Sequence, residues 1–230
     1  VAVTGAATIP PVLIERMRTL LGFKVVTTAY GLTECGGLAT ICDPSTDNET
    51  IANTSGRAIE GTQIAILSAQ GDHLPAGETG EICIRGFHVM KGYFEQPEAT
   101  AQAIDAQGWL HTGDVGHVDE NGYLSITDRL KDMYISGGFN CYPAEIEAVL
   151  AQHPAIAQSA VVGIRDERMG EVGCAFITLK PGHTTNQADL IAWCKERMAN
   201  YRVPRRVEII AAMPLNASNK IVKAELLTLV

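Results

Sequence analysis

The sequence predicts an α/β and α+β protein in three parts. These are the end of a large-domain α/β sheet, a β-barrel subdomain and a small C-terminal α+β domain. Three observations predict this fold class: a strand–helix–strand pattern opens the chain, short strands separated by Gly and Pro follow from about Gly56, and helices alternate with apolar strands after Arg129. We expect residues 1–129 and 130–230 to form separate domains, joined at Arg129–Lys131.

The opening segment predicts a strand, a helix and a second strand. Val1–Thr4 is typical of the end of a buried strand, and Lys24–Ala29 is a β-branched strand. Between them, Thr8 can cap a helix that holds Pro10 and Pro11 in its first turn, and Gly22 ends the apolar helical pattern.

The middle segment predicts short strands that form a small β-barrel or a meander, and the last segment predicts alternating helices and strands. The Asn121-Gly122 pair is a strong hairpin signal. The predicted elements are strands at Gln63–Leu67, Gly80–Arg85 and Tyr123–Thr127, then a helix at Pro143–Gln152, strands at Ser159–Gly163 and Cys174–Leu179, a helix at Ala188–Met198 and a strand at Arg206–Ile210.

Composition and charge argue against two classes of partner. The 230 residues carry a formal net charge of -8, whereas a nucleic-acid surface needs clustered Lys and Arg. No apolar run reaches the roughly 18 residues of a membrane span. The six cysteines include no C-x-x-C pair, and no His stands at zinc-ligand spacing from two of them. We therefore expect buried, reduced thiols in a cytoplasmic protein; a homodimer is compatible with the sequence.

Two motifs place polar groups beside a glycine at a predicted strand end. In Tyr30-Gly31-Leu32-Thr33-Glu34, the glycine lets a ring or phosphate approach the backbone, Thr33 can bond a phosphate oxygen and Glu34 can hold Mg²⁺. In Trp109–Asp114, a carboxylate exposed by a glycine turn can accept the two hydroxyls of a ribose. Each has an ordinary alternative: a strand-to-loop turn for the first, and an Asp that bonds its own turn for the second.

Two later segments also present polar or small residues. Arg129, between the predicted domains, can bind sugar hydroxyls, and the paired glycines Gly137 and Gly138 can line a channel. Lys220 stands on a polar loop near the end of the chain. The alternatives are a surface ion-pair cluster for Asp128–Asp132 and a solvated charge for the lysine.

In order and spacing, these motifs resemble the adenylate-forming superfamily, which includes acyl-CoA synthetases, firefly luciferase and peptide-synthetase adenylation domains. The matching segments are Tyr30–Glu34 (Y-G-x-T-E), Gly80–Gly86 with Gly92-Tyr93 (G-E-I/L-x-I/V-x-G…G-Y), Thr112-Gly113-Asp114 (T-G-D), Asp128-Arg129 with the paired glycines (hinge and loop), Lys220 (terminal catalytic lysine) and Thr4–Ala7 (adenine-facing strand end). The resemblance covers nearly the whole chain. It places residues 1–129 in the C-terminal part of a large adenylation domain and 130–230 in a mobile C-terminal domain.

The resemblance implies an AMP-forming carboxylic acid–CoA ligase that acts through an acyl-adenylate, with ATP, Mg²⁺, coenzyme A and a small carboxylic acid as its partners. It implies that Lys220 offsets the charge that develops in the displacement, that Thr33 bonds the α-phosphate and that Glu34 holds Mg²⁺. Lys131 is implied to be a hinge that exchanges Lys220 for the glycine loop between half-reactions. Nucleotide or coenzyme contacts are implied for Gly5, Ala7, Tyr30, Gly31, Leu32, Asp114, Ile126, Arg129, Gly137 and Gly138.

The sequence departs from the family pattern at two points. Asn219 replaces the glycine that precedes the catalytic lysine, although Asn tolerates left-handed backbone geometry. A Ser/Thr/Gly-rich phosphate loop ending in Pro-Lys-Gly does not occur in the 230 residues. We therefore expect a fragment that is inactive by itself. The segment Gly137–Glu145 resembles ligases for medium-chain fatty or ring-derived acids; the alternative is a truncated relative that binds nucleotide or a partner without turnover.

Overall fold

The computed structural model describes residues 1–5, 9–217 and 219–230, in two compact units, Val1–Thr127 and Asp128–Val230. Among these residues no helix has the length and apolar character needed to cross a membrane. The strands are β1 (Ala2–Thr4), β2 (Val26–Tyr30), β3 (Thr40–Ile41), β4 (Arg57–Ala58), β5 (Thr62–Leu67), β6 (Gly80–Gly86), β7 (Leu110–Val118), β8 (Leu124–Arg129), β9 (Tyr134–Ser136), β10 (Phe139–Cys141), β11 (Ile156–Asp166), β12 (Gly170–Leu179) and β13 (Arg206–Ile209). The helices are α1 (Pro11–Thr19), α2 (Asn48–Asn53), α3 (Pro97–Ala103), α4 (Pro143–Leu150), α5 (Gln187–Lys195) and α6 (Lys223–Leu226).

The first sheet of the first unit has the strand order β1-β2-β3-β4. β1 lies parallel to β2, with Thr4 opposite Thr28, so both strands end at the same edge of the sheet. Helices α1 and α2 cover the sheet through Ile14 and Ile51, which pack with Val26. This confirms the predicted strand–helix–strand opening, and the shared edge is where ligands bind in α/β sheets.

The burial of β1 and the start of α1 differ in part from the sequence prediction. β1 is not a buried strand: Val1 and Val3 are exposed, because no described residue covers the face that carries them. Pro11 is the first residue of α1, as predicted, whereas Pro10 occupies the position before the first turn, and no side chain caps that turn. The predicted cap, Thr8, lies outside the described residues. Gly22 takes a left-handed φ of 70°, as expected for the residue that ends the helical run.

The second sheet of the first unit has the strand order β5-β6-β7-β8. The predicted Asn121-Gly122 turn joins β7 to β8: Gly122 has a φ of 83°, and the Asp119 N–H donates to the Tyr123 carbonyl at 3.0 Å. Neighbouring strands in the chain are neighbours in the sheet, so this is the meander that the sequence allowed. Closure into the β-barrel, the other prediction, does not occur, because β5 and β8 are the two edges of this sheet in the described part of the chain. Four strands are fewer than a closed barrel requires.

The second unit has a five-stranded sheet centred on β12, which pairs antiparallel with β11 and parallel with β13. Helices α4 and α5 pack on one face against Val161 and Ile177. On the other face, Phe176 packs with Met213 and Leu226. Because both faces of the sheet are covered, the sequences of β11 and β12 are nearly continuous apolar runs. This confirms the predicted α+β architecture.

All six cysteines are buried and free of disulfide bonds, which confirms the expectation of core thiols. Burial raises the pKa of the Cys83 thiol to about 12, and it raises the pKa of Cys174 and Cys194 to about 11. These thiols are therefore protonated at neutral pH.

Candidate functional site

Two of the predicted glycines lie at the shared edge of β1 and β2, where backbones approach closely. A Cβ on Gly5 would stand 2.9 Å from the Ala29 carbonyl oxygen, and one on Gly31 would stand 2.4 Å from the Gly37 carbonyl oxygen. Side chains are therefore excluded at both positions. Gly31 is required by the fold itself, in addition to any approach of a ring or phosphate. Ala7, predicted beside Gly5, lies outside the described residues.

The segment after Gly31 folds back on the end of β2. The Ala39 N–H donates to the Tyr30 carbonyl at 2.8 Å, and the Gly37 N–H donates to the Leu32 carbonyl at 2.9 Å. Between these bonds, Thr33–Cys35 forms one turn of 3₁₀ helix. Leu32 packs partly buried against the core below, which leaves Thr33 exposed at the surface of the unit.

Glu34 is held at both its backbone and its side chain. The Met90 N–H donates to the Glu34 carbonyl at 2.8 Å, and the Tyr93 hydroxyl donates to Glu34 Oε1 at 2.9 Å. The hydrogen bond to Glu34 raises the pKa of Tyr93, so the phenol remains a donor. Mg²⁺ is usually held by one or two carboxylates together with substrate phosphates. A single oriented carboxylate at Glu34 fits that pattern.

The T-G-D motif forms a bulge within β7, not the predicted turn at a strand end. One residue of β6, Ile82, lies opposite the three residues Thr112–Asp114, because the register shifts between Glu81 and Cys83. Gly113 takes a left-handed φ of 69° there, which few residues other than glycine adopt. Bulges of this kind re-aim a side chain beside a site.

Side-chain hydrogen bonds fasten the bulge. Thr112 Oγ1 donates to the Ile82 carbonyl at 2.7 Å and accepts from the Asp114 N–H at 3.1 Å. The Gly113 N–H, which the bulge removes from the strand ladder, donates to Glu81 Oε1 at 3.1 Å. These three hydrogen bonds therefore hold the backbone of Thr112–Asp114 in place.

The Asp114 side chain meets Tyr30 from the first sheet. The Tyr30 hydroxyl donates to Asp114 Oδ2 at 2.7 Å. Burial is the main cause that raises the pKa of Tyr30, so its hydroxyl stays protonated as a donor. Asp114 is only 9% exposed, which contradicts the expectation of a carboxylate exposed by a turn. The bulge directs the carboxylate of Asp114 toward Tyr30 instead. Ile126, predicted near the adenine, lies partly exposed on the adjacent strand β8.

A further cluster, which the sequence did not predict, lies beside the bulge. Glu81 Oε2 accepts from His111 Nδ1 at 2.8 Å, and Cys83 Sγ lies 3.5 Å from the same nitrogen. His111 Nε2 lies 3.7 Å from Asp105 Oδ2. Potential ligand atoms of Glu81, Cys83 and His111 fall within 4.8 Å of one another. Both Glu81 oxygens are already hydrogen-bonded and the Cys83 thiol is protonated, so we interpret the cluster as hydrogen-bonded support for the bulge.

In the second unit, Asp128 is a structural residue. Its Oδ2 accepts from the Ala144 N–H at 2.7 Å, at the first turn of α4, and its Oδ1 accepts from the Arg129 N–H at 2.7 Å. A carboxylate is stabilised at a helix N-terminus. This fixes the backbone of Arg129, whose side chain is exposed. Lys131, the predicted hinge, lies in a single 3₁₀ turn, Leu130–Asp132.

Gly137 and Gly138 form the two-residue turn between β9 and β10. Their φ angles of 59° and 88° suit the type I′ turn that joins such strands. The Gly137 N–H donates to the Met169 carbonyl at 2.9 Å, and a Cβ on Gly137 would stand 2.5 Å from Met169 Cε. The hairpin thus requires glycine whether or not a channel exists.

The loop that carries Lys220 is closed by Asn216. The Lys220 N–H donates to Asn216 Oδ1 at 2.9 Å, and the Asn216 N–H donates to the Lys220 carbonyl at 2.9 Å. Asn219 has a φ of 58°, so it supports the left-handed geometry that glycine normally provides at this position.

Comparison with known proteins shows the family to which the chain belongs. Residues 1–94 match the AMP-binding enzyme family, and residues 145–220 match the AMP-binding enzyme C-terminal domain. The chain belongs to the AMP-binding enzyme family. It spans about two fifths of the length of the curated relatives it matches.

Three similar proteins illustrate the family. The chain is 53% identical over 97% of its length to a 3-(7a-methyl-1,5-dioxo-octahydro-1H-inden-4-yl)propanoyl:CoA ligase from Rhodococcus jostii, of which it covers 41%. It is 50% identical over 98% of its length to a ligase of the same name from Mycobacterium tuberculosis, of which it covers 42%. Among solved structures, o-succinylbenzoate coenzyme A synthetase from Bacillus subtilis, in complex with ATP and magnesium ion, matches 97% of the chain and is covered to 45%, with 36% identity and a TM-score of 0.83.

The structure thus brings Tyr30 and Asp114 into direct contact, and it places Gly5 beside the end of the strand that carries Tyr30. The residues that sequence reasoning missed are Tyr93, Glu81 and His111. Tyr93 and Glu81 both lie in the quoted family segment, so a signal was present. Their partners became visible only with the fold, because they stand far apart in the chain.

Proposed function

We propose that this AMP-binding enzyme is an AMP-forming carboxylic acid–CoA ligase, which joins an acid to AMP and then passes the acyl group to coenzyme A. The observation that carries the proposal is the contact of Tyr30 with Asp114 at the edge where β1 and β2 end. A ring, a glycine-lined strand end and an oriented carboxylate suit the adenine and ribose of a nucleotide.

Within the first unit, we assign the nucleoside contacts to Gly5, Tyr30, Gly31, Leu32 and Asp114, together with Ala7 and Ile126 from the family resemblance. Asp114 accepts the ribose hydroxyls while the Tyr30 hydroxyl holds its Oδ2. A carboxylate offers about four acceptor positions, so it can bond a phenol and sugar hydroxyls together.

We assign the phosphate and metal contacts to Thr33 and Glu34. When Mg²⁺ is bound, it neutralises charge on the phosphates. The Thr33 hydroxyl bonds an α-phosphate oxygen, and the Glu34 carboxylate, oriented by Tyr93, holds the ion. Positioned groups of this kind are what an in-line displacement at phosphorus needs.

Within the second unit, we assign Lys220 the role of offsetting negative charge on the carboxylate and α-phosphate during adenylation. Arg129 is proposed to bond ribose hydroxyls, and the Gly137–Gly138 turn to leave room for the pantetheine arm of coenzyme A. Lys131 is the proposed hinge. Lys220 lies within the family match over residues 145–220, on a loop that Asn216 closes. For Arg129, Lys131 and the two glycines, support comes from the backbone geometry of their turns.

For the acid, we propose a ring-derived propanoic acid. The two relatives at 53% and 50% identity are named for a bicyclic propanoyl substrate. The side chains of Val26–Ala29 and Gly36–Thr40 are small or apolar, which is compatible with an uncharged ring system. Medium-chain fatty acids, the other class that the sequence suggested, are the substrates against which the ring-derived acid is compared. The 230 residues alone are proposed to bind nucleotide without efficient turnover.

The test is AMP release by the full-length protein with ATP, Mg²⁺ and coenzyme A. We expect a bicyclic propanoic acid to support faster release than fatty acids of eight to twelve carbons, and we expect hydroxylamine to trap the acyl-adenylate when coenzyme A is omitted. Asp114→Ala should raise the KM for ATP more than it lowers kcat. The absence of AMP release with every acid, by protein that still binds ATP, would favour a non-catalytic nucleotide-binding protein instead.

A further inference from the structure

The bulge in β7 leaves a backbone N–H without a partner in the strand ladder. Where Ile82 faces three residues, the Gly113 N–H has no carbonyl of β6 opposite it. A partly buried N–H without an acceptor is destabilising, because it loses its hydrogen bond to water and gains none in the fold. Glu81 Oε1 satisfies it at 3.1 Å. The carboxylate therefore replaces a strand carbonyl directly before the residue that we assign to the ribose.

The second oxygen of Glu81 is also engaged. It accepts from His111 Nδ1 at 2.8 Å, and the opposite nitrogen of that ring faces Asp105 Oδ2 at 3.7 Å. The side chains of Glu81 and His111 are 18% and 29% exposed, so solvent competes little for these bonds. Asp105 is anchored in turn, because its Oδ1 accepts from the N–H groups of Gln107 and Trp109.

The contacts form one connected chain from Asp105 to the nucleotide-facing carboxylate. Asp105 faces His111, His111 bonds Glu81, and Glu81 bonds the N–H of Gly113, which immediately precedes Asp114. Removing a member leaves the left-handed Gly113 free to change its φ and ψ, since glycine has no side chain to restrict them. A small rotation there moves the Asp114 carboxylate relative to Tyr30.

We propose that Glu81 and His111 are a positioning pair that holds the bulge, and so sets the orientation in which Asp114 meets the ribose of the nucleotide. The pair does not touch the nucleotide. This inference rests on the proposed function, because it needs Asp114 to be the ribose acceptor.

The readout is discrimination between ATP and 2′,3′-dideoxy-ATP, which lacks both ribose hydroxyls. Loss of general fold stability weakens both ligands alike, whereas misorientation of Asp114 weakens only the ligand with hydroxyls. Dissociation constants are measured by calorimetry on the full-length protein with Mg²⁺. The variants are Glu81→Ala, Glu81→Gln and His111→Gln. Glu78→Gln is the matched control: Glu78 stands three residues before Glu81, is exposed, and makes no side-chain hydrogen bond or ion pair in the described part of the chain.

We expect the wild type and the control to prefer ATP by about tenfold or more, the equivalent of one or two hydrogen bonds to a charged group. Glu81→Ala should lower that preference to threefold or less. Glu81→Gln should recover part of it, because its amide oxygen can still accept from Gly113. His111→Gln should give an intermediate value. If Glu81→Ala shows no cooperative thermal unfolding, and so is not folded, the preference for ATP is measured on His111→Gln instead.

Two results would overturn the inference, and they differ in meaning. If the wild type discriminates and both Glu81→Ala and His111→Gln retain the full preference, the positioning role is wrong while the proposed function stands. If the wild type binds ATP and dideoxy-ATP equally, the assignment of Asp114 to the ribose fails, and the positioning role fails with it.

Discussion

The Tyr30 hydroxyl donates a 2.7 Å hydrogen bond to Asp114 Oδ2, joining residues 84 positions apart in the chain. Tyr30 ends β2 of the mixed sheet, and Asp114 lies in the bulge of β7 in the second sheet. This one bond therefore ties together two sheets of the first unit at the edge where we place the nucleotide.

Replacing Tyr30 with Phe removes that bond and keeps the ring. We expect the dissociation constant for AMP to rise about tenfold, because a hydrogen bond to a charged group contributes about 1.5 kcal/mol or more. Calorimetric titration with AMP measures it. Tyr123→Phe is the control, since its hydroxyl has no hydrogen bond among the described contacts; equal weakening in both variants would contradict the assigned contact.

Replacing Tyr93 with Phe releases the carboxylate of Glu34. We expect the Mg²⁺ concentration needed for half-maximal ATP binding to rise about threefold, because one orienting hydrogen bond contributes about 0.5–1.5 kcal/mol. A double-mutant cycle with Glu34→Gln checks the mechanism. In the Glu34→Gln background, Tyr93→Phe should change nothing further; additive effects would show that Tyr93 acts elsewhere.

Asn219 provides a stability prediction for the loop of Lys220. Its φ of 58° is available to glycine without strain, so Asn219→Gly should keep the free energy of unfolding within about 0.5 kcal/mol. Asn219→Val should lower it by about 1–2 kcal/mol, because a β-branched side chain is strained in the left-handed region. Urea unfolding measures both. Equal stability of the two variants would mean that the loop does not hold this geometry in solution.

Alkaline pH should destabilise the protein through its buried thiols. Burial raises the pKa of Cys83 to about 12, and of Cys174 and Cys194 to about 11, from an ordinary value of 9.0. A raised pKa means that the folded state keeps a proton that the unfolded chain loses. The contribution is complete below about pH 9 and is lost as pH rises toward 11 to 12.

The free energy of unfolding should therefore decline between pH 9 and pH 11, by up to about 1.4 kcal/mol per pH unit for each thiol. Urea unfolding at a series of pH values measures it under reducing conditions. Cys174→Ala should make the decline shallower, and an unchanged slope would contradict the role of that thiol.

Much of the fold was predictable, because long apolar runs determine the strands of both units. The predicted Ser159–Gly163 and Cys174–Leu179 lie inside β11 and β12, although both strands extend further. Short elements escaped prediction. Helix α2 has a sequence signal that was overlooked: Asp47 accepts from the N–H groups of Glu49 and Thr50 as its cap.

The candidate site was harder to predict than the fold. Family motifs pointed to Tyr30 and Asp114, but not to their direct contact. The bulge at Thr112–Asp114 depends on how β6 pairs with β7, and such a register shift leaves no local pattern. The role of Glu81 follows only from that register, so no reading of local sequence could assign it.

The central claim is an acyl-adenylate route in which Lys220 serves the first half-reaction. The measurement is the rate of each half-reaction for three full-length proteins: the wild type, Lys220→Ala and the control Lys180→Ala. Acyl-adenylate formation is monitored by trapping the product with hydroxylamine. Thioester formation is measured separately, from pre-made acyl-adenylate and coenzyme A. We predict that Lys220→Ala slows the first by about a hundredfold or more, in line with losing one charge-stabilising group, and leaves the second within threefold. Equal loss of both half-reactions, or no acyl-adenylate from the wild type, would contradict the account.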